Sequence, residues 1–228
     1  MRIALLKIAL DPTSRSTNIA RALSLTDAAA GQQPAPDLIV VPAGCDYVQN
    51  GRHSFTQAMS EMYLASMSAK AREWGVLIAF GRRRLTGETP SEVAILLDAD
   101  GDERLVMQAG ETPEAAAETV FGPMFICMWS SGKPSASSFA DCSSAQLTVI
   151  LADPLDGDRA DATNREYCEQ VAGSTGSSVC IVRSGVASAV LDGCVCCSNG
   201  THVGAPWKLR EGHVVVAEVP MTADAKPT

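Results

Sequence analysis

The segment Met124-Phe-Ile-Cys-Met-Trp-Ser-Ser-Gly132 decides how this sequence is interpreted. Its first half is a run of apolar residues, which is typical of a strand that is covered on both faces in an α/β protein. The small residues 130–132 then turn the chain. Cys127 therefore stands near the carboxyl end of a buried strand, where α/β folds place functional groups. We expect Cys127 to be the best candidate for a reactive side chain.

On both sides of this strand the sequence alternates apolar runs with helical stripes. The order before it is β-α-β-α-β-β-β, and a similar order follows it without a detectable internal repeat. Predicted strands cover 3–10, 38–41, 76–80, 93–97, 105–107, 124–128, 147–151, 179–182, 187–191, 195–197 and 214–219, and predicted helices cover 16–30, 54–74 and 162–171. An Asp-Gly pair at 192–193 predicts a turn between the strands on either side of it. We expect one α/β domain over residues 1–220 and a short C-terminal tail, 221–228.

Composition and charge exclude several classes of protein. Hydrophobic residues make up 46% of the 228 residues and charged residues 19%, which is enough for a large core. The formal net charge is −8 and the longest basic run is Arg82-Arg83-Arg84, so we expect no nucleic-acid partner. Lys7 and Asp11 interrupt the apolar start, and no apolar run approaches the roughly 20 residues of a spanning helix. We expect no membrane association and a cytoplasmic location.

The common cofactor and metal motifs do not occur. There is no phosphate-binding loop, and Gly173-Ser-Thr-Gly176 lies between a helix and a strand, the wrong order for a dinucleotide site. There is no Gly-x-Ser-x-Gly elbow, and the histidines at 53, 202 and 213 match no metal or triad spacing. We therefore expect no cofactor and no metal.

Eight cysteines are many for a cytosolic chain, but most lie in apolar stretches, where a thiol behaves as a small hydrophobic group. We expect them to be mainly reduced, with a secreted, disulfide-bonded protein as the alternative. Cys194, Cys196 and Cys197, with His202, leave open a redox or soft-metal role. A structural zinc site would need a second ligand pair that this chain does not supply.

A family resemblance comes from the order and spacing of several segments. They are 37–42 (Asp-Leu-Ile-Val-Val-Pro), 74–81 (Trp-Gly-Val-Leu-Ile-Ala-Phe-Gly), 98–101 (Asp-Ala-Asp-Gly), 125–127 (Phe-Ile-Cys), the helix 165–171 and the closing hairpin through 192–193. In this order the chain resembles the carbon–nitrogen hydrolase (nitrilase) superfamily over nearly its whole length. The resemblance implies a four-layer α-β-β-α sandwich that usually pairs with a second subunit, so we expect a homodimer.

The resemblance also implies a site with a cysteine nucleophile, a glutamate base and a lysine. The glutamate takes the thiol proton, the thiolate attacks an amide or nitrile carbon, and the lysine stabilises the developing charge. Cys127 matches the cysteine, but Ala43 stands where the glutamate is expected and the strand 104–109 has no lysine. No lysine occurs between Lys70 and Lys133, and Trp129 replaces the aspartate that commonly follows the cysteine by two residues.

These departures favour a catalytically degenerate domain. A positioned base contributes about 10²–10⁴-fold and an electrostatic donor about 10²–10³-fold, so losing both leaves little catalysis. The degenerate domain would bind a small amide or nitrile-like ligand, or serve as a scaffold or regulatory subunit. The alternative is a divergent hydrolase of non-peptide C–N bonds, of the amidase or nitrilase type, that forms a thioester on Cys127. In that case Asp46 is the possible substitute base, and Lys133 or Arg104 the possible substitute cation.

Overall fold

The computed structural model describes residues 1–46, 56–86, 89–109, 116–129, 135, 138–139, 144–152, 161–186, 192–197, 199, 201–203, 205–209 and 212–221. Three helices occur in this part of the chain: α1 (Arg15–Ala30), α2 (Gln57–Trp74) and α3 (Asp161–Thr175). The strands are β1 (Arg2–Lys7), β2 (Ala9–Leu10), β3 (Leu38–Val41), β4 (Leu77–Thr86), β5 (Thr89–Leu97), β6 (Glu103–Gln108), β7 (Ala117–Thr119), β8 (Gly122–Trp129), β9 (Leu147–Ala152), β10 (Ser178–Arg183), β11 (Gly185–Val186), β12 (Asp192–Cys196), β13 (His202–Val203), β14 (Ala205–Leu209) and β15 (Gly212–Glu218).

Local sequence explains where the first two helices begin and end. The Ser14 side chain caps α1 by accepting a hydrogen bond from the backbone N–H of Thr17 (3.3 Å). Gly75 ends α2 in the left-handed conformation (φ 62°), which favours glycine at this position. The predicted helix start at Ser54 lies outside the described residues; the structure has Thr56 as the N-cap, without a side-chain cap. No helix among the described residues is long and apolar enough to cross a membrane.

Two sheets form the centre of the molecule. One has seven strands in the order β14-β15-β1-β3-β4-β5-β6, and the other has six in the order β13-β12-β10-β9-β8-β7. Strands β1, β3 and β4 run parallel in the first sheet, as do β8, β9 and β10 in the second. Helix α1 lies between β1 and β3 along the chain, α2 between β3 and β4, and α3 between β9 and β10, as is usual for crossover connections between parallel strands.

The alternation of side chains along the strands creates three apolar layers. In β8, Met124, Ile126 and Met128 face the other sheet. Phe125, Cys127 and Trp129 face α3 instead. A third layer lies between the seven-stranded sheet and helices α1 and α2. The molecule therefore has four layers: helices α1 and α2, the seven-stranded sheet, the six-stranded sheet and helix α3. This order confirms the expected four-layer α-β-β-α sandwich.

The predicted turn at Asp192-Gly193 is wrong. Both residues lie within β12, where Asp192 pairs with Arg183 and Gly193 with Val182 in an antiparallel ladder. The partner strand β10 overrides the local preference of Asp-Gly for a turn, because a glycine without a side chain still contributes its backbone hydrogen bonds to the ladder. The predicted strand 187–191 lies outside the described residues.

Candidate functional site

The carboxyl ends of the parallel strands in both sheets meet at one edge of the sandwich. The short strands β2 and β11 continue from β1 and β10, and they pair with each other through Ala9–Gly185 and Leu10–Val186. The Ser184 hydroxyl also donates a hydrogen bond to the Ala43 carbonyl of the other sheet (2.8 Å). This carboxyl edge is where an α/β fold of this kind presents functional groups.

Cys127 is buried on the α3 face of the six-stranded sheet, with 3% of its surface exposed. It pairs with Ile150 in β9 and is a reduced thiol. Burial raises the pKa of Tyr167 in α3, and the nearby thiols of Cys127 and Cys168 raise it further. The ring of Tyr167 lies 5.5 Å from that of Trp129. The described apolar layer that contains Cys127 thus includes both aromatic and aliphatic side chains.

A buried cation occupies the same face of this sheet, and sequence reasoning missed it. Arg183 is 6% exposed, and its guanidinium carbon lies 5.0 Å from the ring centroid of Trp129. In the register, Trp129 pairs with Ala152 and Ala152 with Arg183, so the small alanine lets the two long side chains meet above it. The contact has the geometry of a cation–π interaction. The sequence signal for Arg183 is a charged residue at the carboxyl end of the apolar strand 179–182, and it could have been used to predict a buried cation here.

The position that the resemblance assigns to the glutamate lies between the two sheets. Ala43 is 3% exposed, and its β-carbon lies 2.8 Å from the point that a β-carbon on Gly81 would occupy. The terminal methyl carbon of Met128 lies 2.6 Å from the same point. Ala43, Gly81 and Met128, which we call the seam, are therefore tightly packed and uncharged. The seam and Cys127 lie on opposite faces of the six-stranded sheet.

Asp46, the possible substitute base, is buried on the opposite side of the molecule from Cys127. One carboxylate oxygen accepts hydrogen bonds from the Ser60 hydroxyl (3.0 Å) and the backbone N–H of Arg83 (2.8 Å). These partners place it beside α2, on the outer face of the seven-stranded sheet. Burial raises the pKa of Asp46 despite these hydrogen bonds. Both sheets, packed roughly 10 Å apart, lie between Asp46 and Cys127, so the structure does not bring them together.

Arg104, the other sequence-predicted group whose position the structure describes, does not lie beside the thiol. Arg104 lies at the start of β6, next to the β5–β6 turn, and forms an ion pair with Asp98 in that turn (2.5 Å). This turn follows the residues that pair with the start of β4, so it is at the amino edge. Lys133 lies outside the described residues.

The cysteine cluster shows no metal site in the described part of the chain. The side chains of Cys194 and Cys196 are outside the described set, and Cys197 is a buried thiol. The His202 ring hydrogen-bonds to the Glu169 carboxylate (2.8 Å). Among the residues with described side chains, no group of three His, Cys, Asp or Glu residues is placed to hold a metal ion.

The architecture is similar to solved structures of amidases and of a carbon–nitrogen hydrolase. An amidase from Nesterenkonia sp. AN1 matches with a TM-score of 0.75 and 17% identity, over 96% of this chain and 93% of that chain. A carbon–nitrogen hydrolase from Helicobacter pylori G27 matches with a TM-score of 0.76 and 12% identity, over 96% of this chain and 88% of that chain. No protein-family model and no curated protein matches the sequence.

One similar structure contains a modified cysteine. It is a mutant of the Nesterenkonia amidase that carries the acetamide moiety of fluoroacetamide covalently at the active-site cysteine, with a TM-score of 0.78 and 16% identity over 96% of this chain and 90% of that chain. That amidase is described as a member of the nitrilase superfamily. At these identities the similarity establishes the fold: this chain has the nitrilase-superfamily fold.

Proposed function

We propose that this protein is a nitrilase-fold domain that lacks the ordinary C–N hydrolase mechanism and binds a small amide or nitrile-like molecule at its carboxyl edge, as a regulatory or scaffold subunit. The observation that carries this proposal is the packing of Ala43. Its methyl group occupies the place that the resemblance assigns to a glutamate, and Gly81 and Met128 close the space around it.

The chemistry of the thiol supports the same proposal. A cysteine becomes a good nucleophile when a base or a cation stabilises its thiolate. The carboxylate suggested as the substitute base, Asp46, contacts Ser60 and Arg83 on the far side of both sheets. A base must come within about 3 Å of the proton that it takes, directly or through one water. These contacts of Asp46 support the proposal that it does not act as a base for Cys127.

The test compares amide turnover with amide binding. Acetamide, butyramide and a short aliphatic nitrile are incubated with the wild type, Cys127→Ser and Cys168→Ser, and released ammonia is measured. Cys168 is the matched control, because it is a second buried thiol of the same layer. We expect no ammonia above the Cys127→Ser level, together with saturable butyramide binding by calorimetry. Turnover that Cys127→Ser abolishes and Cys168→Ser retains would contradict the proposal.

A divergent amidase is the second candidate, and the buried Arg183 favours it. In the strand register, Cys127 pairs with Ile150, and Ile150 pairs with Ile181. Arg183 follows Ile181 by two residues, so it lies on the same face of the sheet as Cys127 and closer to the carboxyl edge. In this reaction the sulfur of Cys127 bonds to the amide carbon, the C–N bond breaks and ammonia leaves with the thiol proton. Water then cleaves the thioester to the acid and regenerates the thiol.

This candidate predicts a covalent adduct on Cys127 that depends on Arg183. Treatment with fluoroacetamide followed by peptide mass spectrometry detects the adduct. Arg183→Met should then slow labelling by about 10²-fold or more, as for the loss of an electrostatic donor, whereas Arg165→Met, an exposed arginine in α3, should not. Asp46→Asn should leave labelling unchanged. Equal labelling of all four proteins would exclude Arg183 from the chemistry.

We also propose that the chain forms a cytoplasmic homodimer. The proposal is supported by the resemblance to a superfamily whose members usually pair. Sedimentation equilibrium at micromolar concentration should give twice the chain mass of 23.9 kDa, and a monomeric mass would contradict the dimer. Recovery of the protein from the membrane or secreted fraction of its cells would contradict the location.

A further inference from the structure

A cavity of about 640 Å³ opens at the amino edge of the sandwich, where the parallel strands begin. Its wall includes Asp37 before β3, Trp74 at the end of α2 and the turn between β7 and β8. Its volume is within the 300–1,000 Å³ typical of small-molecule sites. Gly122 and Cys127 are five residues apart in β8, which corresponds to about 17 Å at 3.3–3.4 Å per residue. The cavity is therefore separate from the carboxyl edge.

The charged groups of this cavity are predominantly acidic. Asp98 and Arg104 neutralise each other in their ion pair (2.5 Å). Asp100 and Glu118 are exposed and form no ion pair with any residue whose side chain the structure describes. Asp37 accepts one backbone N–H (2.6 Å) and likewise has no ion-pair partner within the described ranges. Three carboxylates on different elements thus line the cavity, and none of them has an ion-pair partner among the side chains that the structure describes.

Apolar and aromatic surface lies beside these carboxylates. The Trp74 indole N–H donates a hydrogen bond to Asp27 (2.9 Å), while 40% of the residue stays exposed. Val120 is 89% exposed, and Phe121 packs against the layer between the sheets while also lining the cavity. An aromatic face attracts a cation through its quadrupole, and the ring also buries apolar surface. Carboxylates next to such faces are the complement of a positively charged group on an apolar body.

We propose that the amino-edge cavity binds a small organic cation: a protonated amine attached to an aromatic or aliphatic body. The ammonium group lies among Asp37, Asp100 and Glu118, and the apolar body packs against Trp74 and Phe121. Neutral and anionic molecules of the same shape lose the attraction of the three carboxylates. This site is additional to the amide site proposed at the other edge and does not depend on it.

The test uses benzylammonium as the probe and benzyl alcohol as its neutral counterpart, with isothermal calorimetry on the full chain. Benzylammonium should bind about tenfold more tightly or better at low ionic strength, and added salt should weaken it because exposed charges are screened. Asp100→Asn and Glu118→Gln should each weaken benzylammonium about fivefold, the effect of one unit charge near 4 Å in water. Both side chains are exposed, so the thermal midpoint checks that each variant remains folded.

Two controls locate the site. Glu166→Gln removes an exposed carboxylate from α3 and should leave benzylammonium affinity unchanged. Cys127→Ser should also leave it unchanged, so the result does not depend on the function of the carboxyl edge. The proposal is wrong if benzyl alcohol binds as tightly as benzylammonium, or if no saturable binding occurs at millimolar probe. Wild-type affinity in the double variant Asp100→Asn/Glu118→Gln would also overturn it.

Discussion

Replacing Gly81 by alanine tests the packing on which the functional proposal rests. The added β-carbon would lie 2.6 Å from the terminal methyl of Met128, and 2.8 and 2.9 Å from the β- and α-carbons of Ala43. Carbon atoms pack at about 3.5–4.0 Å, so the three contacts must each open by about 0.6–1.4 Å. The Met128 side chain is flexible and can move away, but the α-carbon of Ala43 is a backbone atom and cannot move without shifting the chain.

The expected cost combines two opposing effects. Overpacking a well-filled core costs about 1–3 kcal/mol, and alanine recovers about 0.4–1 kcal/mol by restricting the unfolded chain. Gly81→Ala should therefore destabilise the protein by about 1–2 kcal/mol. In a Met128→Ala background the cost should fall by about 1 kcal/mol, because neighbouring residues couple, but it should not vanish while the Ala43 contacts remain.

Guanidinium denaturation followed by circular dichroism gives the free energy of unfolding for the four proteins of this cycle. Gly173→Ala is the matched control, since Gly173 lies in α3 and no atom comes within 4 Å of its added β-carbon. That variant should be stabilised by about 0.5–1 kcal/mol. A neutral Gly81→Ala, or an equal cost in both backgrounds, would refute the tight seam and remove the packing observation that supports the loss of the catalytic base.

Three further predictions concern buried polar groups near the carboxyl edge. Burial raises the pKa of Asp46 above its ordinary 3.8, so the folded state holds the carboxyl proton more tightly than the unfolded chain and loses stability as pH rises above about 4. Asp46→Asn should flatten this decrease in unfolding free energy between pH 4 and 8, as measured by urea denaturation. Parallel slopes for the wild type and the variant would contradict this prediction. Ser184→Ala leaves the buried Ala43 carbonyl without its hydroxyl donor and should cost about 1–3 kcal/mol of unfolding free energy, whereas a neutral variant would show that another group replaces the hydroxyl. Burial, and to a smaller extent the Asp46 carboxyl, raises the pKa of Cys45 to about 12. Iodoacetamide should therefore label Cys45 at pH 8 far more slowly in the folded chain than in the unfolded chain, as measured by peptide mass spectrometry. Equal labelling rates would contradict the burial of this thiol.

The layers of this fold could be predicted from sequence because strand and helix periodicities differ. The continuous apolar runs of β1, β3 and β8 indicate strands covered on both faces, and each became part of a buried sheet. Local turn signals were less informative where pairing competes with them. Asp192-Gly193 joins β12 because β10 offers a complete ladder to that segment.

The candidate site could be predicted only in part, because strand register decides which side chains meet. Cys127 was identified from its place near the end of an apolar strand. Arg183 is far from Trp129 in sequence. The two meet because Trp129 and Arg183 both pair with Ala152 in β9, from the strands on either side of it. Asp46 follows Ala43 closely in sequence, yet the turn after β3 places the two in different apolar layers.

The register of β8 is the physical reason why Cys127 identifies a fold better than an activity. Successive residues of a strand point to opposite faces, so a nucleophile in a regular strand can share a face only with groups on the same side of the sheet. Pairing with β9 continues past Cys127 to Met128–Leu151 and Trp129–Ala152, so the strand stays regular there. Met128, not Cys127, consequently faces the seam, and a carboxylate at position 43 would meet a thioether instead of a thiol. Among the residues whose side chains are described, a group that acts with Cys127 from the same side of the sheet lies on the α3 face, where Arg183 is a buried cation.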